Sequence, residues 1–222
     1  MEQRYLRSLG PLSEEELERL GRKKVFLAGC GGLGGYLEEY LLRAGVGCIV
    51  AVDGDRFEAS NLNRQLLCTG ETLGRLKAEA AAERASKVNG GVRFSGLPVR
   101  FDADSLPELL WGCDAALDAL DSVESRRVLK AECDRQKIPY VFGAVSGWTA
   151  QAALSKPGDG FLDALYPQDL AAEPEGVLPF SPALCAALQA ALCVRLLCGR
   201  PVEYGCLYGF DLQEMRFAEL RL

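Results

Sequence analysis

Histidine is absent from all 222 residues. Its absence excludes Ser-His and Cys-His nucleophilic triads, histidine acid–base catalysis and histidine-ligated metals together. No Cys-x-x-Cys pair occurs, so the paired-thiolate signature of a structural zinc site is missing. No apolar run reaches the roughly 18 residues that suggest a membrane span, and the N-terminus MEQRYLRSLG lacks a signal-peptide core, so a cytoplasmic chain is expected. Excess positive charge is lacking too. With a net charge of −6 and a pI near 4.9, there is no electrostatic footprint for bulk nucleic-acid binding. Nor is there a linker, repeat or low-complexity run, and residues 1–222 are expected to form one domain.

What is present is ordinary for a soluble globular protein: 49% hydrophobic and 25% charged residues. The nine cysteines are odd in number and several sit in apolar contexts such as VGCIVAV, which favours reduced thiols over a disulfide framework.

The chain begins with a helical segment, residues 1–21, in which Ser13 followed by Glu16 reads as a capping box. KKVFLAG then reads as a buried strand, GLGGYLEEYLLRAG as a helix and CIVAVD as a second strand. Next come a helix in LGRLKAEAAAERASKVN, a strand in GVRFSGLPV, a helix in DSLPELLWG, the strand DAALDAL, the helix SVESRRVLKAECDRQ and the strand PYVFGAV. Continuous apolar runs alternating with helical periodicity predict a Rossmann-like, doubly wound α/β fold with a mostly parallel sheet, whose sites lie at the carboxyl ends of the strands. TAQAALS fits an antiparallel strand, residues 155–180 read as a long mobile loop, SPALCAALQAALCVRLLCG as an apolar helix, and CLYGFDL with EMRFAEL as a closing antiparallel hairpin.

Gly29, Gly31 and Gly34 satisfy GxGxxG between a strand and a helix, and Gly32 lies in the same turn. Glycines there permit a tight turn, close approach of backbone to phosphate, and a helix N-terminus that meets the anion. Asp53, 19 residues after Gly34, is placed to accept ribose hydroxyls. These residues alone leave a dinucleotide and ATP both open. Just beyond them, Asp55, Asn61, Arg64 and Lys77 concentrate polar and cationic groups that suit a triphosphate and Mg2+. A nicotinamide enzyme would instead need an apolar ring pocket and a proton donor. Asp121, in LDALDS, suits a metal ligand facing the phosphates; its bland alternative is a helix N-cap.

In order, GCGGLGG, VDGDRFEASNLNRQ, GRLK and LDALDS resemble the ThiF/MoeB/HesA adenylyltransferases, relatives of the ubiquitin-activating enzymes, from RYLRS through the late apolar helix. The resemblance implies that Gly31 and Gly34 line the ATP phosphates and that Asp53 binds the ribose. It further implies that Asn61, Arg64, Gln65 and Lys77 surround the triphosphate and that Asp121 supports Mg2+, directly or through water. Arg7 takes the place of an arginine that such homodimers insert into the partner's site, though Arg4 and Arg7 could also be surface charges. The implied reaction is ATP-dependent adenylation of the C-terminal Gly-Gly carboxylate of a small ubiquitin-like sulfur-carrier protein. MoeB-like members carry two Cys-x-x-Cys pairs for zinc; PGDGFLDALYPQD stands in that region here, and no zinc is expected.

Cys185, at the start of the late helix, is either a thiol activated by the helix dipole or a buried small hydrophobe. Cys193 and Cys198 read as core packing. Other functions compatible with the motifs are an ATP-dependent tRNA threonylcarbamoyladenosine dehydratase, an NAD-dependent oxidoreductase, and a non-catalytic adaptor.

Overall fold

In the computed structural model, which describes residues 2–167 and 176–222, eight strands form one sheet in the order β3-β2-β1-β4-β5-β6-β7-β8. The elements follow the chain as α1 (Glu14–Leu20), β1 (Lys24–Ala28), α2 (Gly32–Ala44), β2 (Cys48–Val52), α3 (Lys77–Asn89) and β3 (Arg93–Leu97). Then come α4 (Leu106–Leu109), β4 (Ala115–Asp118), α5 (Val123–Gln136), β5 (Tyr140–Ser146) and β6 (Thr149–Ser155). The chain closes with α6 (Phe161–Leu165), α7 (Phe180–Cys198), β7 (Cys206–Asp211) and β8 (Arg216–Arg221). Strands β3 to β5 pair in parallel and β5 to β8 antiparallel, the arrangement the sequence predicts.

Alternation along β1 explains why its whole run is apolar. Val25 and Leu27 join the core beneath α2, α3 and α7, whereas Phe26 and Ala28 join the opposite core beneath α4, α5 and α6. Strand order reverses between β1 and β4, so the crevice at a topological switch point opens above Ala28 and Asp118, which lie side by side.

Several elements depart from the sequence reading. The helix predicted from Leu73 begins only at Lys77, after Gly74 at φ 77° and an extended Leu76. That late start places Lys77 at the first helical position, its N–H donating to the Asp55 carbonyl. The helix predicted over 104–112 shrinks to Leu106–Leu109, with Pro107 in its first turn and Gly112 at φ 69° behind it. The supposed loop 155–180 contains α6, whose Phe161 is buried edge-on against Phe142 at 5.4 Å between ring centres. Residues 168–175 of that expected mobile loop lie outside the described residues. The capping box at Ser13 and Glu16 forms as expected.

Helix α7 needs a second correction. An 18-residue stretch of it has a mean hydropathy of 1.6, enough by length and composition to cross a bilayer, contrary to the sequence expectation. Here its apolar residues pack into the core shared with α2 and the sheet.

Candidate active site

The glycine turn joins β1 to α2 beneath the crevice. Gly29 has φ 101°, and a Cβ there would lie 2.8 Å from the Ala119 carbonyl oxygen. At Gly34 a Cβ would lie 1.9 Å from the Gly29 carbonyl oxygen. Both glycines are therefore demanded by packing of helix against turn. Gly31 and Gly32 differ. A Cβ at Gly31 would meet the Gln65 amide at 3.5 Å, and one at Gly32 would meet Pro182 at 3.7 Å and the Arg64 side chain at 3.9 Å, all ordinary contact distances. Packing among the described residues does not require these two to be bare, and Gly31 caps α2 without any side-chain hydrogen bond to its first turn. The turn thus leaves unpaired backbone donors behind an open approach, the arrangement that receives an anion.

Asp53, at the end of β2, ties the turn to its neighbour. Its carboxylate accepts from the Cys30 N–H and from the Asp55 N–H, each at 2.8 Å. A carboxylate has about four lone-pair sites, so capacity for ribose hydroxyls remains. Asp55 is bracketed by cations, with Lys77 Nζ at 3.3 Å and Arg100 Nη2 at 2.8 Å. Partial burial pushes its carboxyl up, but the Arg100 hydrogen bond and the Lys77 charge together hold it below its ordinary range. Asp55 is thus an ionised tether for Lys77, whose side chain is almost fully covered. Arg100 escaped the sequence reading; nothing in LPVRFD marks a partner 45 residues upstream.

A short 3-10 turn, Ala59–Asn61, lays the next polar groups over the crevice. The Asn61 side chain accepts from the Glu58 N–H at 3.0 Å, and its backbone carbonyl accepts from the N–H groups of Arg64 and Gln65. Arg64 donates only to neutral oxygens, those of the Ser60 backbone at 3.0 Å and the Asn63 side chain at 2.8 Å. Among the described residues it has no carboxylate partner. Gln65 lies over Gly31, buried, with its Oε1 unpartnered. A buried acceptor left without a donor costs about 1–3 kcal/mol, and such exceptions are concentrated where a water or ligand completes the set.

Asp121 follows β4 on the far side of the crevice. It is exposed and has no hydrogen bond or ion pair among the described residues. Ser122, not Asp121, caps α5 by accepting from the Ser125 N–H at 3.2 Å, so the capping alternative for Asp121 falls. Three residues earlier, Asp118 is wholly buried and fully engaged. It accepts from Arg126 at 2.6 Å, the Tyr140 hydroxyl at 2.5 Å and the Leu120 N–H at 2.9 Å. Arg126 also donates to the Gly143 carbonyl at 2.8 Å and lies over the Phe142 ring, while Gln189 of α7 donates to the Asp118 carbonyl at 2.8 Å. Burial raises the Asp118 carboxyl, and Arg126 is the chief group opposing that rise. The sequence reading missed this network because its members are scattered from residue 118 to residue 189.

Arg7 is not brought to the crevice. It lies in a 3-10 helix, Gln3–Ser8, whose Tyr5 packs against Gly45 at the far end of α2. The 13 residues of α2 separate that end from Gly31 by about 20 Å at 1.5 Å per residue. Arg4 is held by Glu2 and Asn89, whereas Arg7 is exposed without a partner among the described residues. Cys185 sits one turn inside α7, fully buried, its thiol donating to the Gln151 carbonyl at 3.1 Å. Burial pushes that thiol up to about 12, so activation by the helix terminus does not operate.

The sequence profile of the ThiF family matches residues 3–222. The chain belongs to the ThiF family. Among similar proteins, the SAMP-activating enzyme E1 of Haloferax volcanii is 33% identical over 209 residues, covering 90% of this chain and 76% of that one. The sulfur carrier protein adenylyltransferase of Thermus thermophilus is 34% identical, covering 98% and 84%. The molybdopterin-synthase adenylyltransferase of Salmonella typhimurium is 30% identical, covering 94% and 86%. A crystal structure of E. coli MccB with ATP superposes with a TM-score of 0.80 at 22% identity, covering 93% of this ThiF-family chain and 65% of MccB; it shows the shared fold.

Proposed function

We propose that this ThiF-family protein is an adenylyltransferase that uses ATP to activate the C-terminal Gly-Gly carboxylate of a small ubiquitin-like sulfur-carrier protein, of the thiamine or molybdopterin type, releasing pyrophosphate. The single observation that carries the reading is the uncompensated rim among the described residues: Arg64 without an anion and Gln65 with an orphaned oxygen beside two glycines that packing does not require, and Asp121 without a partner just past β4. The names of the relatives supply the substrate class.

In this reading the N–H groups at Gly31 and Gly32 receive the phosphates and Asp53 the ribose. Asn61 and Gln65 hold the triphosphate in place. Arg64 and Lys77 stabilise the charge that develops as pyrophosphate leaves, with Asp55 keeping Lys77 in position. The carrier carboxylate is already an anion and attacks the α-phosphorus without surrendering a proton, so a site with no histidine base is adequate. Mg2+, held through Asp121 directly or by water, would neutralise phosphate charge.

Arg7 is too far from its own crevice to act there, and we assign it to the site of a second copy in a homodimer. Residues 1–222 act as one domain, in the cytoplasm and without zinc. The oxidoreductase alternative is disfavoured by a rim that is cationic and polar where a nicotinamide ring needs apolar cover. The test is ATP–pyrophosphate exchange in the presence of ThiS, the carrier named for the E. coli relative, and of other Gly-Gly-ended carriers. Exchange that depends on carrier and Mg2+ supports the reading; normal ATP binding with no exchange for any carrier rejects it.

A further inference from the structure

Asp121 is exposed and makes no hydrogen bond or ion pair of its own among the described residues, so nothing its side chain touches fixes where its carboxylate stands. Its place is inherited from the backbone on either side. Downstream, Ser122 caps α5, and its carbonyl accepts from the Arg126 N–H at 3.2 Å. Upstream stands Leu120, and both polar groups of its main chain are held by the buried pair. Its N–H donates to the Asp118 carboxylate at 2.9 Å, and its carbonyl accepts from Arg126 Nη2 at 2.5 Å. A peptide unit is planar, so fixing the Leu120 carbonyl fixes the plane that carries the Asp121 nitrogen and Cα.

Arg126 has little freedom to point elsewhere. Its Nη1 donates to Asp118 at 2.6 Å and to the Gly143 carbonyl at 2.8 Å, and its guanidinium carbon stands 5.0 Å from the centre of the Phe142 ring. Gly143 cannot give way: a Cβ there would lie 2.2 Å from the Gln189 amide, which is itself bonded to the Asp118 carbonyl at 2.8 Å and the Val141 carbonyl at 3.1 Å. A guanidinium is a rigid planar fork, so anchoring one prong dictates the direction of the other. Neutralising Asp118 needs only the Nη1 bond. The Nη2 bond reaches out of the floor to the turn that carries Asp121.

We infer that Arg126 is a positioning residue for the metal-holding Asp121: anchored on Asp118 and Gly143, it sets the place of that carboxylate through the Leu120 carbonyl. The inference rests on the assignment of Asp121 to Mg2+ above. Arg126 is 5% exposed and acts only through the turn, not by reaching the rim itself. Its loss therefore weakens the hold on the metal and leaves the glycine turn, Asp53 and Arg64 to bind nucleotide as before. Arg126→Lys separates the two duties of the side chain. It keeps a charge for Asp118 but, as a single point on a flexible stem, lacks the second prong that holds Leu120.

Two measurements on the whole chain test this. In the first, Mn2+ stands in for Mg2+ beside the α,β-methylene analogue of ATP, and bound Mn2+ is counted by electron paramagnetic resonance. Arg126→Lys and Asp121→Asn should each weaken Mn2+ binding to the protein–nucleotide complex by roughly 10- to 100-fold, with metal-free nucleotide affinity unchanged. The double variant should bind Mn2+ no more weakly than Asp121→Asn alone; losses that multiply mean that Arg126 acts independently of Asp121 and overturn the inference. The second measurement needs neither metal nor adenylation. Hydrogen exchange on the free protein should quicken at residues 120–122 in Arg126→Lys while α5 stays protected, and unchanged exchange there overturns the inference. Asp121→Asn that binds Mn2+ as tightly as the native chain overturns the Mg2+ assignment and with it the metal role given to Arg126, and the exchange result still decides whether Arg126 sets the turn. If Arg126→Lys does not fold, Asp118→Leu with Arg126→Met, which strands no buried charge, takes its place in both measurements with the same expected outcomes.

Discussion

The rim of the crevice and the layer directly beneath it use the same residue types in opposite ways. On the rim, half-buried Arg64 and exposed Asp121 have no ionic partner among the described residues. One layer down, Arg126 and Asp118 are closed on each other, with Tyr140, Gln189 and two backbone carbonyls completing their valences. Asp118 and Asp121 are separated by two residues, so neither composition nor local sequence distinguishes them. The difference is solvent access. A buried charge is tolerated only when paired and hydrogen-bonded, whereas an exposed one can wait for a ligand. The lower layer therefore gives the rim a rigid floor, and the rim retains unspent binding capacity.

The largest effect should come from breaking the floor. Arg126→Met strands a buried carboxylate, and urea unfolding should show a loss of about 3–5 kcal/mol. Adding Asp118→Leu should recover a good part of it, since removing both charges removes the unpaired one; no recovery would mean that the pair is not the source. On the rim, Arg64→Ala should lower pyrophosphate exchange by roughly 100- to 1000-fold while shifting unfolding by less than about 0.5 kcal/mol. Loss of stability of the same order as in the floor would erase the distinction.

Besides Gln65, a buried carboxyl also breaks the pattern of satisfaction and sharpens it. Glu38 of α2 is wholly buried and neither carboxyl oxygen has a partner. Burial, with the Glu39 charge adding to it and Arg84 opposing, pushes its carboxyl from 4.5 up to about 9. It is therefore neutral in the folded protein and ionised in the unfolded chain above the ordinary value. Its contribution to stability is complete below pH 4.5 and is lost progressively as pH rises towards about 9. Unfolding measured across that window should lose up to ~1.4 kcal/mol per pH unit from this residue. Glu38→Gln should flatten the dependence and stabilise the protein at pH 8; an unchanged profile would show that Glu38 is ionised or hydrated.

The smallest effects divide the glycine turn. Gly34→Ala must displace the Gly29 carbonyl and should cost about 1–3 kcal/mol. Gly31→Ala meets only a side-chain amide at an ordinary contact distance and should change stability by less than about 1 kcal/mol, yet abolish ATP binding by calorimetry. Equal losses of stability for both would mean that Gly31 is also a packing glycine.

Much of this was legible from residue order. The buried strands announce themselves because parallel strands covered on both faces must be apolar throughout, as in Val25–Ala28. Less legible were the elements set by contacts distant in sequence. The start of α3 depends on the Asp55 carbonyl, and α6 is stabilised by burying Phe161 against Phe142. The glycines look alike in GCGGLGG; only their three-dimensional neighbours separate Gly29 and Gly34 from Gly31 and Gly32.

By itself, the sequence determined the α/β alternation, the position of the phosphate-type turn and the polar set that follows it, because periodicity and short motifs are local properties of the chain. Tertiary structure alone decided which of two nearby aspartates is buried and which exposed, that Arg64 has no carboxylate partner among the described residues, and that Arg7 stands a helix length from its own crevice. Those outcomes depend on what packs against each group from elsewhere in the chain, and burial and charge pairing are set there.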